Sequence, residues 1–515
     1  MALVKNGITL LSSYDPEGRC KKAAEAVSVR DRTLYFCPSP LYGYGLEKLL
    51  SRLKNETVNS AILCIELDPE LFKLSQLELS QKNILGIGAE NRLCLTNISN
   101  IEKLCVFVRD TWGARAFRRV EMVKLTGGWQ LYPDSYASLI EALRTEIAVE
   151  WGNALTLAKL GRLYIRNFLR NLSLLCDLPS ITQLSFGDSP VYVFGAGPSL
   201  DDTLNDLEKR YGAELYLPQK RSLKIVCVDT CLGLLKERNI VPDLVVILES
   251  QHWNMRDFIG CYGWEIPFAV DLCALPQSAK MLGGKGYLFT TPWTQLNLFE
   301  RMKNAGLLPQ IVPPLGSVGL TAMELAHRLT SGKIKYAGLD FSFTMDKYHA
   351  RGAPSHRYKL NTHNRFGGLL NTAAFGAGVT KSADLYTTPN MRGYKELFER
   401  EFKNRLRTQK VCKQTVCAQK TQKEESIKVF VKNETDRLNE LRDILSGQTV
   451  KDTDILKQRL NNLIRECDYL WAHFPDYSGG IQLDLNDFSY EISFLNRVRV
   501  EIEYMLKLFA FPTHP

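Results

Sequence analysis

Between residues 188 and 390, short apolar runs alternate with helix-patterned stretches, and this alternation constrains the fold more than anything else in the chain. The runs are VYVFGAG, LKIVCVDT, DLVVILES, PFAVDL, GYLFTT and IKYAGLDFS. Each is short, apolar and β-branched or aromatic, as strands buried on both faces of a parallel sheet are. The expected class is α/β, with a central doubly wound, Rossmann-like sheet. In such sheets ligands collect outside the carboxyl ends of the strands, so residues that close each run are the first to examine.

The flanks differ from this core. Residues 1–130 carry the runs RTLYFCP, NSAILCIELD and KLCVFVRD, which read as strands of a smaller α/β domain. There LYFCPSPLYGYGLEKLL leads into ILCIELDPELF, the layout of a nucleoside-binding unit in which Glu66 or Asp68 would grip a ribose. The turn holds only Gly43 and Gly45 and is broken by Pro38 and Pro40, so a structural domain without a ligand is the expectation. Residues 131–187 form a helical connector. Residues 188–392 make the central domain, and 393–515 an α-helical domain in which YKELFEREFKNRL, ESIKVFVKNETDRLNELRDIL and DILKQRLNNLIRECDYLWAHF keep i, i+3, i+4 apolar spacing.

Charge is uneven. The chain carries a net +9, yet residues 346–423 alone hold 16 Lys and Arg against 5 Asp and Glu. That segment reads as a solvated basic face or as a surface for an anionic ligand or acidic partner. No helix-turn-helix, zinc-finger or RNP signature accompanies it, so nucleic acid is not an expected partner. The 13 cysteines include no CxxC pair, and Cys227 with Cys231 suits neither zinc nor redox chemistry. No apolar stretch is long enough for a membrane span, and the N-terminus lacks a signal-peptide pattern, so a cytoplasmic protein with reduced thiols is expected.

Four segments of the central region carry candidate chemistry. In the glycine turn Gly195, Gly197, Pro198 and Ser199, the glycines let a ligand approach the backbone at a helix N-terminus. Asp229 with Thr230, and Glu249 with Ser250, close two adjacent strands, where a carboxylate can bond a ribose, a ring amine or a metal-bound water. Asp229 reads equally well as a helix N-cap. Gly316 and Ser317 form a second turn at a helix start, favourable to an anion, with Thr321 as a further hydroxyl donor and His327 read as structural. Asp340 opens a loop that contains Tyr348, His349 and Arg351, groups suited to proton transfer or phosphate binding. His356 and His363 follow, but their spacing matches no standard metal pattern, and no metal site is expected.

Taken in order, FGAGPSLD, NIVPDLVV, GSVGLTAMELA and GLDFSFTMDKYHARG resemble the central domain of the motility accessory factors. That domain is shared with the MptE-like pterin pyrophosphokinases and is similar in fold to bacterial CMP-sialic-acid transferases. The resemblance spans about residues 188–390, and the α/β and helical flanks agree with it. Glu249 stands where an aspartate is usual, and Leu339 where glutamine often precedes the aspartate. The resemblance implies transfer of a nonulosonic acid, of the pseudaminic or legionaminic type, from its CMP conjugate to flagellin Ser or Thr, in support of flagellar assembly and motility. It implies that Gly195, Gly197 and Ser199 hold the nucleotide, and that Asp229, Glu249 and Ser250 line the donor pocket. Ser317 and Thr321 would meet the cytidine or the sugar carboxylate. Tyr348, Arg351 or Tyr358 would bond the departing phosphate, with His349 as base and Asp340 supporting its loop. No resident cofactor is expected beyond an optional Mg²⁺. Two other readings stand beside this one: an ATP- and Mg²⁺-dependent hydroxymethylpterin pyrophosphokinase, with Asp229 or Asp340 on the metal, and a non-catalytic flagellin-binding accessory protein.

Overall fold

The computed structural model describes residues 3–57, 59–85, 92–113, 115–366, 368, 370, 372–403, 405, 420–447, 453–475 and 492–510. The chain divides into two compact units, Met1–Lys159 with Ala472–Asn486, and Leu160–Trp471 with Asp487–Pro515. The second unit contains a seven-stranded sheet of β7 (Val191–Phe194), β8 (Lys224–Val228), β9 (Leu244–Ile247), β10 (Phe268–Asp271), β11 (Gly286–Thr290), β12 (Gln310–Ile311) and β13 (Ile334–Ala337), ordered β12-β11-β10-β9-β8-β7-β13. Every pairing is parallel. Apart from Lys224 at the start of β8, the central strands are buried end to end, which explains why they read as apolar runs. The sequence grows outward from β7 to β12, then crosses back so that β13 lies on β7's other side. The topological switch point is therefore at the β7/β13 pair.

Helices α7 (Leu200–Tyr211), α8 (Leu232–Glu237), α9 (Asn297–Asn304) and α10 (Val318–Leu329) connect the strands. α10 is buried along almost its whole length and packs on β7, β8 and β9. Two further helices, α11 (Pro354–Asn361) and α12 (Pro389–Phe402), follow β13. Then come α13 (Lys420–Leu445), α14 (Thr453–Glu466) and a last helix, Ile492–Phe509. The helical C-terminal part belongs to the same compact unit as the sheet. Arg301 on α9 makes a two-pronged pair with the fully buried Glu434 on α13, at 2.7 and 2.8 Å.

The first unit has a four-stranded parallel sheet, β5-β4-β3-β6, from β3 (Thr33–Pro38), β4 (Ala61–Ile65), β5 (Leu93–Thr96) and β6 (Arg119–Met122). One expectation is corrected here. KLCVFVRD is not a strand but lies in α4 (Ile101–Trp112), whose first turn is capped by Asn100 accepting from the Lys103 amide at 3.0 Å. Leu104 and Val108, four apart, are its buried face. A short apolar run fits strand or helix equally, and here the cap decides.

The switch point of this small sheet, between β3 and β6, is filled by the chain's own beginning. The hairpin β1 (Leu3–Lys5) and β2 (Ile8–Leu11) and helix α1 (Pro16–Ala26) lie over it. The Gly127 amide donates to the Leu10 carbonyl at 2.8 Å, and Leu10, Leu11, Cys20 and Leu41 pack together. A Cβ on Gly45 would stand 2.5 Å from the Cys20 carbonyl oxygen, so this glycine admits α1. Glu66 is wholly buried and accepts from Ser39 Oγ at 2.6 Å and the Asp68 amide at 3.0 Å. Asp68 caps the helix Pro69–Gln81 and pairs with Lys5 at 2.7 Å. Both carboxylates considered for a ribose are engaged in holding the domain together.

Candidate donor site at the carboxyl edge of the central sheet

At the β7/β13 switch point two glycine loops clasp each other. The Gly195 amide donates to the Ala337 carbonyl and the Gly197 amide to the Gly338 carbonyl, both at 2.8 Å. In return the Gly338 amide donates to Ser199 Oγ at 3.1 Å, and the Ser199 amide to Asp340 Oδ2 at 3.0 Å. Pro198 has no amide hydrogen to offer. The Gly195, Gly197 and Ser199 amides expected to face a phosphate therefore already have partners, and the turn is a brace for the β13 loop rather than an open cradle. Asp340 is part of that brace.

The loop after β13 is stapled to the same corner. The Ala350 amide donates to the Ala196 carbonyl at 2.8 Å, and the Arg351 amide to both Asp201 oxygens at 3.1 Å. Lys347 adds an ion pair to Asp201 at 3.2 Å. This leaves the Arg351 side chain exposed. His349 is half-buried, with Nδ1 2.5 Å from Ser355 Oγ and its ring edge-on to Tyr348. Burial pushes its pKa down to about 4, so it is neutral at pH 7 and a weak proton acceptor. Tyr348 also packs against Phe343, and Tyr358 on α11 is exposed.

Asp229, closing β8, is buried and heads a second cluster. It accepts from Asn254 Nδ2 at 2.7 Å and from the Thr230 amide at 2.9 Å. Asp257 lies against the same two residues, accepting from Asn254 Nδ2 at 3.3 Å and from the Thr230 hydroxyl at 3.4 Å. Ser278 Oγ fixes the Asn254 amide by donating to its oxygen at 2.9 Å. Burial, then the nearby charge of Asp229, raises Asp257 to about 7, and burial raises Asp229 to about 6. The pair thus shares about one proton near neutrality. An acid that binds its proton more tightly when folded costs nothing while both states are protonated. It destabilises increasingly as pH climbs from about 4 through 7. Asp257→Asn is expected to stabilise the protein by about 2 kcal/mol at pH 8, with the gain shrinking toward zero by pH 4.5. Urea titrations at both values check this, and an equal effect at the two would contradict it.

Glu249, beyond β9, is exposed and accepts from the Gln251 amide at 2.9 Å, while Ser250 is buried. The Ser250 carbonyl is held by Asn167 at 2.9 Å, which also donates to the Cys273 carbonyl at 3.2 Å. Four residues on, where the helix Pro133–Arg170 passes into the 3₁₀ turn Asn171–Ser173, Asn171 donates to the Leu272 and Ala274 carbonyls, both at 2.9 Å. Asp271, closing β10, takes the Cys273 and Thr291 amides at 2.6 Å, and burial raises it to about 6. These asparagines and Asp271 fix the loops that follow β9 and β10.

At α10's start, Gly316 is exposed with φ +72°, and Ser317 makes no side-chain cap. Tyr394 of α12 lies over it, its ring 2.9 Å from where a Cβ on Gly316 would stand. Burial first, then the Glu249 charge, raises the Tyr394 phenol. Thr321 is corrected: it is wholly buried, and its hydroxyl donates back to the Ser317 carbonyl at 3.2 Å, so it does not face a ligand. Asn254, Asp257, Asp271, Tyr394 and the two helix asparagines were not singled out from sequence. The only signal was a polar pair four apart on the otherwise apolar face of the connector helix. Among the described residues no three His, Cys, Asp or Glu are arranged to hold a metal ion.

Residues 166–346 match the model of the 6-hydroxymethylpterin diphosphokinase MptE-like family. They span β7 to β13 and include each of these loops up to Asp346. Over nearly its whole length, the chain is similar in fold to a solved MAf glycosyltransferase from Magnetospirillum magneticum AMB-1, with a TM-score of 0.52 at 12% identity, covering 99% of this chain and 89% of that one. It is also similar to two proteins of Treponema pallidum (strain Nichols), both described as uncharacterized. One is 28% identical over 98% of this chain and 94% of its own length; the other is 25% identical over 29% and 40%. No helix among the described residues is long and apolar enough to cross a membrane.

Proposed function

We propose that the chain is a glycosyltransferase, and that it moves a nonulosonic acid of the pseudaminic or legionaminic type from its CMP conjugate to a Ser or Thr hydroxyl of flagellin. The observation that carries this reading is the meeting of the GAGPS turn, the GLD loop and the YHARG loop at one switch point, on the fold also seen in a MAf glycosyltransferase. In the reaction the bond from the anomeric carbon to the phosphate oxygen breaks, and CMP leaves with the electron pair. The acceptor oxygen bonds the anomeric carbon, and its proton passes to a base. The start of α10, where Ser317 makes no side-chain cap, would meet the carboxylate or phosphate with its first-turn amides. Exposed Arg351 offsets charge on the leaving group. His349 is the loop base, but at about 4 it is poorly matched to neutral pH. Largely buried Asp257, at about 7, is better matched. A rate limb near pH 7 would assign the proton to the acid pair, and one near pH 4 to His349.

A second reading, pterin pyrophosphokinase, draws on the family match over residues 166–346. Thermal-shift measurements separate the two. A ligand at 100 times its Kd adds about 2.7 kcal/mol of stability. CMP is expected to raise the melting temperature and ATP with Mg²⁺ to leave it unchanged; the reverse pattern would favour the kinase. A cytoplasmic site of action fits a nucleotide-sugar donor and belongs to the same proposal.

A further inference from the structure

The segment HWNMRDF, residues 252–258, is a short 3₁₀ stretch with two faces. Inward, Asn254 and Asp257 complete the Asp229 cluster. Outward, Trp253 is 65% exposed, and just beyond the segment Ile259 is 70% and Tyr262 76% exposed. Large apolar groups so open to water, so close in sequence and beside a candidate site, mark an interaction surface rather than a core. Arg256 organises it. Its guanidinium lies 4.7 Å from the Trp253 ring centroid and 4.8 Å from that of Tyr358 on α11, a cation held between two rings. Among the described residues no carboxylate pairs with it. Trp, Tyr and Arg are the residue types that dominate binding energy at protein interfaces. A small-molecule pocket buries most of its ligand, whereas these side chains stand out from the surface.

We propose that this ring–cation–ring stack is the platform on which an acidic stretch of the acceptor polypeptide docks. The charge fits that partner: a guanidinium with no carboxylate partner among the described residues lies against Tyr358, within residues 346–423, the segment with 16 basic against 5 acidic residues. The geometry fits as well, since one seven-residue segment carries both the rim and two walls of the buried acid cluster. The proposal rests on the glycosyltransferase reading for the identity of the partner.

The test uses the full-length protein with purified flagellin, and two variants, Trp253→Ala and Arg256→Glu. Both side chains are exposed, so folding is expected to be unchanged. Three readouts are taken: flagellin affinity by interferometry, KM for flagellin in the transfer assay, and CMP release without acceptor. Each variant is expected to weaken flagellin binding and raise KM at least about tenfold, with acceptor-free CMP release unaltered. Failure of the wild type to bind flagellin, or equal affinity in wild type and variants, overturns the platform. If the wild type binds flagellin but releases no CMP, the glycosyltransferase reading fails, and the affinity series still decides on the surface.

Discussion

Gly338→Ala is expected to destabilise the second unit by about 3–5 kcal/mol and to abolish the site. Gly338 has φ +67°, where an added Cβ costs about 1–2 kcal/mol before any contact is counted. That Cβ would then stand 2.1 Å from the Gly195 carbonyl oxygen, 2.7 Å from its carbon and 3.1 Å from the Gly197 nitrogen. All three are backbone atoms of the partner loop, so no flexible side chain can move aside, and the clasp must open. Opening it frees the Ser199 amide from Asp340 and loosens the loop that carries His349. Gly352→Ala is the control. Its φ of +88° is also strained, but the new methyl meets the side chains of Glu237 and Leu234, which can yield. A loss of about 1–2 kcal/mol is expected there. Equal midpoints for the two variants in urea would show that the clasp is not what holds the switch point.

Arg301→Met is expected to cost about 3 kcal/mol, because it takes the two-pronged partner from a buried carboxylate and leaves it Arg437 alone. Glu434 is wholly buried and accepts from Arg301 at 2.7 and 2.8 Å and from Arg437 at 2.7 Å. Arg301 also donates to the Glu466 carbonyl at 2.8 Å, so one side chain of α9 binds both α13 and the end of α14. Removing Glu434 as well, in Arg301→Met/Glu434→Leu, takes away the buried charge that has lost two of its three hydrogen bonds. Arg437 is partly exposed and keeps Glu466 as a partner at 2.9 Å, so the double variant is expected to recover most of the loss. Denaturant midpoints of the two singles and the double close the cycle. Additive losses would mean that the pair does not couple the helices to the sheet.

The central sheet was readable because its strands are buried on both faces and so appear as apolar runs punctuated by turns. β12 was not, since two residues at an edge leave no pattern. In the first unit the strands LCLT and RVEM were passed over and KLCVFVRD taken instead, because period and apolarity cannot separate a short strand from a capped helix. Asp229 could be found as a strand-closing acid. Its partners could not, since Asn254 and Asp257 reach it from beyond α8 and β9, more than twenty residues later in the chain. The glycine turn was found, but its role was not: that its amides face β13 depends on a strand 140 residues later. Thr321 looked like a donor because a hydroxyl near a helix start often is one. Its rotamer, bonded back to Ser317, is invisible in sequence.

The most direct test of the central proposal is to incubate the purified protein with a CMP-activated nonulosonic acid and purified flagellin, and to record released CMP together with the intact mass of flagellin. The expected result is release of CMP matched by flagellin heavier by whole sugar residues. Flagellin of unchanged mass, with no CMP released, would contradict it.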